Sequence, residues 1–183
     1  MIRPAKPDDA HEVAPLLVLA MGHIAGVLAN SERNEDAISF LEMFFRKDDN
    51  QYSYANTLVF ETEQGILGSV TGYDGGLLHD LRQPILQEVR KTNPDFTPGD
   101  ETEAGEYYLD CVAVNEDYQG KGLGQKLIKA FCEKGVSLGF KRVGLIVDLE
   151  NAASKKIYEK AGFQTAGEKD FLGHRYFHMV KEV

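Results

Sequence analysis

The residues with the clearest chemical meaning lie between Tyr107 and Gly124, which read YYLDCVAVNEDYQGKGLG. An apolar run, Leu109 and Cys111 to Val114, stops at Asn115-Glu116-Asp117, and a loop carrying Gly120, Gly122 and Gly124 then opens into an amphipathic segment. That order is a strand, a tight loop and a helix N-terminus. The first N–H groups of a helix have no partner inside it, and the macrodipole makes that end partly positive. Glycines let a phosphate approach such a backbone closely and Lys121 adds charge, so the expected chemistry begins with an anion.

Other reactive side chains point nowhere as definite. His174 and His178 share one strand-like run and stand about 13 Å apart at the strand rise, too far for one ion. Cys111 and Cys132 make neither a disulfide framework nor a metal cluster and read as small buried hydrophobes. No His lies near Cys111 in sequence, so an acyl-enzyme on that thiol is not indicated, and no metal is expected.

The elements that must position the loop follow from periodicity. Ile2 to Lys6 reads as a short edge strand, and Pro7-Asp8-Asp9 starts a helix whose apolar positions, Ala10 to Leu28, continue to about Ala29, with Pro15 as a kink or a later start. A second helix spans Asn34 or Glu35 to Arg46. Thr57 to Thr62 and Ile66 to Tyr73 form a hairpin around Glu63-Gln64-Gly65. Leu77 to Arg90 is helical despite Pro84, and Lys91 to Gly105, with Pro94, Pro98 and Gly99, is a loop of unusual length, functional or disordered. After the glycine loop, Leu123, Leu127, Ala130 and Phe131 line one helical face, and the helix ends near Gly135 to Gly139. Arg142 to Asp148 reads as a strand covered on both faces, which makes a right-handed βαβ unit. A short helix over Asn151 to Ala161 precedes closing strands at Phe163 to Gly167 and His174 to Lys181, joined by Glu168 to Gly173.

The chain of 183 residues fits a single domain, and its formal net charge of −9 argues against nucleic acid as the main partner. Without a membrane-length apolar stretch or a signal-peptide core, the expectation is a cytoplasmic protein with no membrane partner. The charge is segregated. Asn93 to Tyr118 holds acids without Lys or Arg, whereas Gln119 to Arg142 is mostly basic. This suggests an acidic mouth for a cationic substrate beside a basic seat for a phosphorylated cofactor, against the plainer reading of solvated surface.

Gln119-x-x-Gly122-x-Gly124 after a strand resembles the acyl-CoA pyrophosphate loop of the GNAT superfamily of N-acyltransferases, and Asn151 followed by Tyr158-Glu159-Lys160-Ala161-Gly162-Phe163 is similar to the superfamily's downstream segment. The glycine spacing fits neither a dinucleotide fingerprint nor a Walker A loop. The resemblance implies an α/β (α+β) fold, with a mixed, mostly antiparallel central sheet, helices on both faces and a splayed central strand pair. It also implies one domain over 1–183, with an inserted helix and loop around 74–105.

The resemblance further implies acetyl-CoA as co-substrate. The backbone of Val112, Ala113 and Val114 faces the pantetheine, the N–H groups of Gln119, Gly120, Lys121, Gly122, Leu123, Gly124 and Gln125 hold the pyrophosphate, and Asn151 and Ser154 contact the cofactor. Lys155 stands beside them, reaching the phosphates or solvated. Tyr158 occupies the general-acid position, with ordering of the CoA sulfur as its lesser role. A primary amine of pKa about 10.4 must lose a proton. Asp110 and Glu106, two pleat periods apart, are the candidate bases, with water as the remaining option. The expected partners are a small-molecule amine or an exposed protein amino group, and a homodimer is compatible. A catalytically silent acyl-CoA-binding sensor is the alternative.

Overall fold

The computed structural model describes residues 1–183. Its centre is a seven-stranded sheet in the order β1-β2-β3-β4-β5-β7-β6. The strands are β1 (Ile2–Pro4), β2 (Thr57–Thr62), β3 (Gly65–Asp74), β4 (Tyr107–Val114), β5 (Arg142–Asp148), β6 (Gln164–Phe171) and β7 (His174–Glu182). Every pairing is antiparallel except β4 with β5. The helices are α1 (Ala10–Met21), α2 (His23–Ala29), α3 (Asn34–Phe45), α4 (Leu78–Val89), α5 (Leu123–Ser137) and α6 (Ala152–Lys160).

Alternation along β4 sends its side chains into different cores. Cys111 and Ala113 join Leu17, Leu41, Phe44 and Ile85 in a cluster built with α1 to α4. Leu109 and Val114 join Leu127, Ile128 and Phe131 of α5 in a second cluster, to which Tyr158 and Ala161 of α6 add a partly buried edge. Helices thus cover both faces. Each fully buried Leu, Ile or Phe contributes about 1.5–3 kcal/mol, enough for α5 to hold the glycine loop in place.

β4 departs from regularity at one residue. The β3–β4 register passes from Thr71↔Cys111 to Gly72↔Leu109, so Asp110 has no partner on β3 and sits on a bulge. On its other side β4 pairs with β5 only at Tyr107↔Val143 and Tyr108↔Gly144, and beyond that the two strands diverge. The gap therefore opens toward the glycine loop.

Three expectations change. The first helix is broken: Gly22, at φ 55°, separates α1 from α2, which lie 114° apart, while Pro15 stays inside α1. The positive φ is open to glycine without a Cβ clash, and the bend, not Pro15, sets the helix path. The closing strands are longer than Phe163–Gly167 and His174–Lys181, because β6 runs to Phe171 and the turn shrinks to Leu172-Gly173. The 91–105 segment, finally, is packed: Phe96, Glu101 and Thr102 are buried, Arg82 donates to Gly99 O at 3.1 Å, and the Thr102 hydroxyl donates to Gly75 O at 2.7 Å.

Candidate functional site

Two cavities meet at the splayed strands. The first, of about 560 Å³, is lined by Val112, Ala113 and Val114 of β4, by Gln119, Gly120, Gly122, Leu123, Gly124 and Gln125 of the loop and α5, and by Asn151, Ser154 and Tyr158. The second, of about 540 Å³, shares Leu19, Ala20, Val112, Asn151, Ser154 and Tyr158 with it and adds Tyr52, Glu101, Asp110, Asp148 and Glu150.

The first cavity is built to hold an anion and an extended chain. Gly120 and Gly122 adopt φ of 74° and 77°, which turn the loop so that α5 begins at Leu123. The Gln119 N–H, expected among the open donors, is instead bonded to Glu116 O at 3.3 Å. The N–H groups of Gly120, Lys121, Gly122, Leu123, Gly124 and Gln125 have no acceptor within the chain; the next to find one is that of Lys126, bonded to Gly122 O at 3.2 Å. Those open donors surround the cavity at the positive end of a helix dipole.

The open edge of β4 adds a second feature. Asn115 N–H bonds Leu67 C=O at 2.9 Å, so antiparallel alternation turns the Ala113 groups toward β3 and those of Val112 and Val114 toward the gap. Of these, Val114 C=O accepts from Gln119 Nε2 at 3.0 Å. The remaining strand edge is free to pair with an extended amide-bearing ligand, which satisfies backbone groups otherwise exposed.

Asn151 caps α6, accepting the Ser154 N–H at 3.0 Å. Lys121 is turned away from the cavity, its ammonium 4.7 Å from the centroid of the Tyr118 ring and 3.2 Å from Asp117 O. Its backbone N–H belongs to the open set, but its side chain does not line the site.

Tyr158 stands where the cavities meet, half-buried and packed edge-on against Phe163 with ring centroids 6.0 Å apart. Its hydroxyl makes no hydrogen bond within the chain, and burial pushes its pKa up, so the phenol stays in its proton-bearing form. Asp110 lies in the second cavity. Its Oδ2 accepts from the Tyr73 hydroxyl at 2.8 Å and from Gln51 Nε2 at 3.2 Å, and its Oδ1 from Cys111 Sγ at 3.2 Å. Burial raises its pKa from the usual carboxylate range, while those donors and the charge of Arg82 oppose the rise. Burial, and then the charge of Asp110, push the Cys111 thiol well up, which makes it a poor nucleophile.

Glu106 is not brought to either cavity. It is 1% exposed, and its Oε2 lies 3.0 Å from His178 Nε2. A Cβ on Gly144 would come within 2.0 Å of that Oε2, so only glycine lets the carboxylate cross β5 to reach β7. Glu103, also near His178, pairs with Lys169 at 3.1 Å. Glu103, Glu106 and His178 have donor types suited to a cation, yet Lys169 already supplies positive charge there.

Sequence reasoning missed several cavity residues. Glu101 is 4% exposed and ion-paired with Arg82; burial pushes its pKa up to about 7, with Arg82 opposing and Asp110 reinforcing. Asp148 and Glu150 add negative charge at the end of β5, and Asp148 lies 3.5 Å from His174 Nδ1. Their signal was the polar end of the apolar run RVGLIVD, where a splayed strand presents its C-terminal residues. No Lys or Arg lines the second cavity.

Comparisons with known proteins agree with this geometry. The family model described as Acetyltransferase (GNAT) family matches residues 29–163. The Spermine/spermidine N(1)-acetyltransferase of Bacillus subtilis strain 168 is 38% identical over 112 residues, covering 61% of this chain and 66% of that protein. A Mycothiol acetyltransferase of Kocuria rhizophila is 30% identical over 133 residues, covering 64% of this chain and 43% of that one. Among solved structures, an acetyltransferase is 29% identical with a TM-score of 0.81, the match covering 100% of this chain and 99% of the other. An N-acetyltransferase from Staphylococcus aureus Mu50 shares the fold at a TM-score of 0.85 and 23% identity, covering 99% and 100% of the two chains.

Proposed function

The chain belongs to the GNAT acetyltransferase family, and from that premise we propose that it transfers the acetyl group of acetyl-CoA to a cationic primary amine by direct attack in a ternary complex. The observation that carries this reading is the meeting of an anion-binding cavity and a carboxylate-lined cavity at Val112 and Tyr158. The similarity to a spermine/spermidine N(1)-acetyltransferase supports a polyamine as the acceptor.

Acetyl-CoA, when bound, supplies the acyl group as a thioester. The N–H groups from Gly120 to Gln125 hold its pyrophosphate, and the gap-facing backbone of Val112 and Val114 holds its pantetheine arm. Asp110 takes the proton that the ammonium must lose before its nitrogen can attack. The Val112 N–H stabilises the developing oxyanion. Tyr158 donates a hydrogen bond and then a proton to the departing sulfur.

The test is thiol release from acetyl-CoA across a panel of triamines, diamines, monoamines and acidic amino acids. Turnover is expected with the polycations first. Turnover on acidic amino acids with none on cationic amines would overturn the acceptor assignment, and no thiol release with any amine would leave a silent acyl-CoA-binding module.

Because Glu106 is locked to His178 away from both cavities, Glu106→Gln is expected to change kcat by less than about threefold. The same variant is expected to lose about 1–3 kcal/mol of stability, since a buried charge-assisted hydrogen bond is weakened. Steady-state kinetics and thermal melts check both. A large loss of kcat with an unchanged melt would make Glu106 the base.

A further inference from the structure

The inserted helix and loop, α4 and residues 91–105, contribute one ionisable side chain to the lining of the second cavity, Glu101. We propose that Glu101 is a specificity-determining residue that pairs with an ammonium group of the acceptor other than the one that reacts, and that Arg82 is the positioning residue that holds it there. This inference rests on the reading of the second cavity as the acceptor site.

The first support is how Glu101 is held. Arg82, on α4 and 5% exposed, donates to Gly99 O at 3.1 Å, to Asp100 Oδ1 at 3.2 Å and to Glu101 Oε2. A guanidinium fork fixes several acceptors in one plane, so it sets the loop backbone and the carboxylate direction together. Oε1 accepts no hydrogen bond within the chain and is not among the buried polar atoms lacking a partner, so it keeps some access, and Glu101 lines the second cavity. The Thr102 hydroxyl on Gly75 O anchors the next residue to the start of the insertion.

The second support is the charge count. The reacting nitrogen gives up its proton to Asp110 and so cannot remain the counter-ion of the cavity. Glu101, Asp148 and Glu150 are left facing the acceptor. Arg82 compensates part of this charge, but it is shared with Asp100, and the cavity wall carries no Lys or Arg, only His23 and His174, the latter 3.5 Å from Asp148. A second ammonium on the acceptor completes that balance, and a low-dielectric wall including Tyr52 and Tyr108 strengthens the pairing.

The experiment measures binding of a triamine, a diamine and a simple alkyl monoamine by calorimetry, with CoA bound, to the wild-type protein, Glu101→Gln and Glu101→Asp, with turnover measured in parallel. Glu101→Gln is expected to weaken triamine binding about tenfold and monoamine binding by less than about twofold, with the acetyl-CoA KM unchanged. Glu101→Asp, which keeps the charge, is expected to fall between wild type and Glu101→Gln. Arg82→Lys, which keeps charge but not the fork, is expected to raise the triamine KM without lowering kcat at saturation. Equal weakening for all amines, tracking a lowered melting temperature, would assign Glu101 a purely structural role and overturn the proposal. So would unchanged triamine affinity, or no amine binding to the wild type. Triamine binding with the expected selectivity but no turnover would sustain the role of Glu101 while rejecting the transferase reading.

Discussion

Tyr158→Phe is expected to lower kcat about 10²–10⁴-fold while leaving acetyl-CoA affinity within about twofold. The substitution removes one oxygen and keeps the ring that packs edge-on against Phe163. The hydroxyl has no partner inside the protein, so its removal orphans no buried group and the fold has little to lose. A departing thiolate has a reference pKa near that of a cysteine, about 8.5, and a phenol about 10. Burial raises the phenol further, which keeps it in the donor form through the working range. Direct binding of CoA and single-turnover acetylation separate the outcomes. A variant that binds CoA normally and turns over within about threefold of wild type would reduce Tyr158 to a wall of the cavity.

The parts of this site that could be read in advance are local in the chain. Gln119, Gly122, Gly124, Asn151 and Tyr158 announce themselves because a loop, a cap and one helix face each depend on neighbours a few residues away. The strand splay was expected from resemblance, and its physical form is a bulge at Asp110 beside a β4–β5 ladder that stops after Tyr108. What was not legible depends on distant contacts. The burial of Glu101 is set by Arg82, 19 residues earlier, and the exclusion of Glu106 by His178, 72 residues later. Both acids look alike in the sequence, solvated and loop-borne, and only tertiary partners separate them. Gly22 was hidden for another reason: Met21, Ile24 and Leu28 keep helical spacing across it, so the apolar pattern runs through a break. In β6, Glu168-Lys169-Asp170 has the composition of a loop, but this edge strand is mostly exposed and the ladder to β7 outweighs intrinsic preference.

Asp110→Asn is expected to reduce kcat/KM at neutral pH about 10²–10³-fold, and the loss should shrink as the pH rises. Without a base, only the free-amine fraction reacts, and with an amine pKa of about 10.4 that fraction grows about tenfold per pH unit between 7 and 10. Wild-type activity should rise earlier, as Asp110 ionises through its raised pKa, and then flatten. The groups facing Asp110 that bear on this titration are Tyr73, Gln51 and Cys111 in contact, and Glu101 and Arg82 through their charge. Stability provides an independent control. The folded-state pKa of Asp110 lies above its unfolded value, so the native state binds more protons across that window and stability falls as pH rises through it. Once ionised, the carboxylate is therefore a stability cost, and Asn, which carries no charge, is expected to melt at the same temperature or higher at pH values above that window. The Asn amide oxygen can hold the Oδ2 position and go on accepting from Tyr73 and Gln51 while its NH2 turns toward Cys111 Sγ, so the contact at 2.8 Å survives the change. A large kinetic loss with an undiminished melting temperature marks a group kept for chemistry at the expense of the fold. If instead Asp110→Asn retains the wild-type pH profile, solvent is removing the proton and the bulge serves only to open the strand.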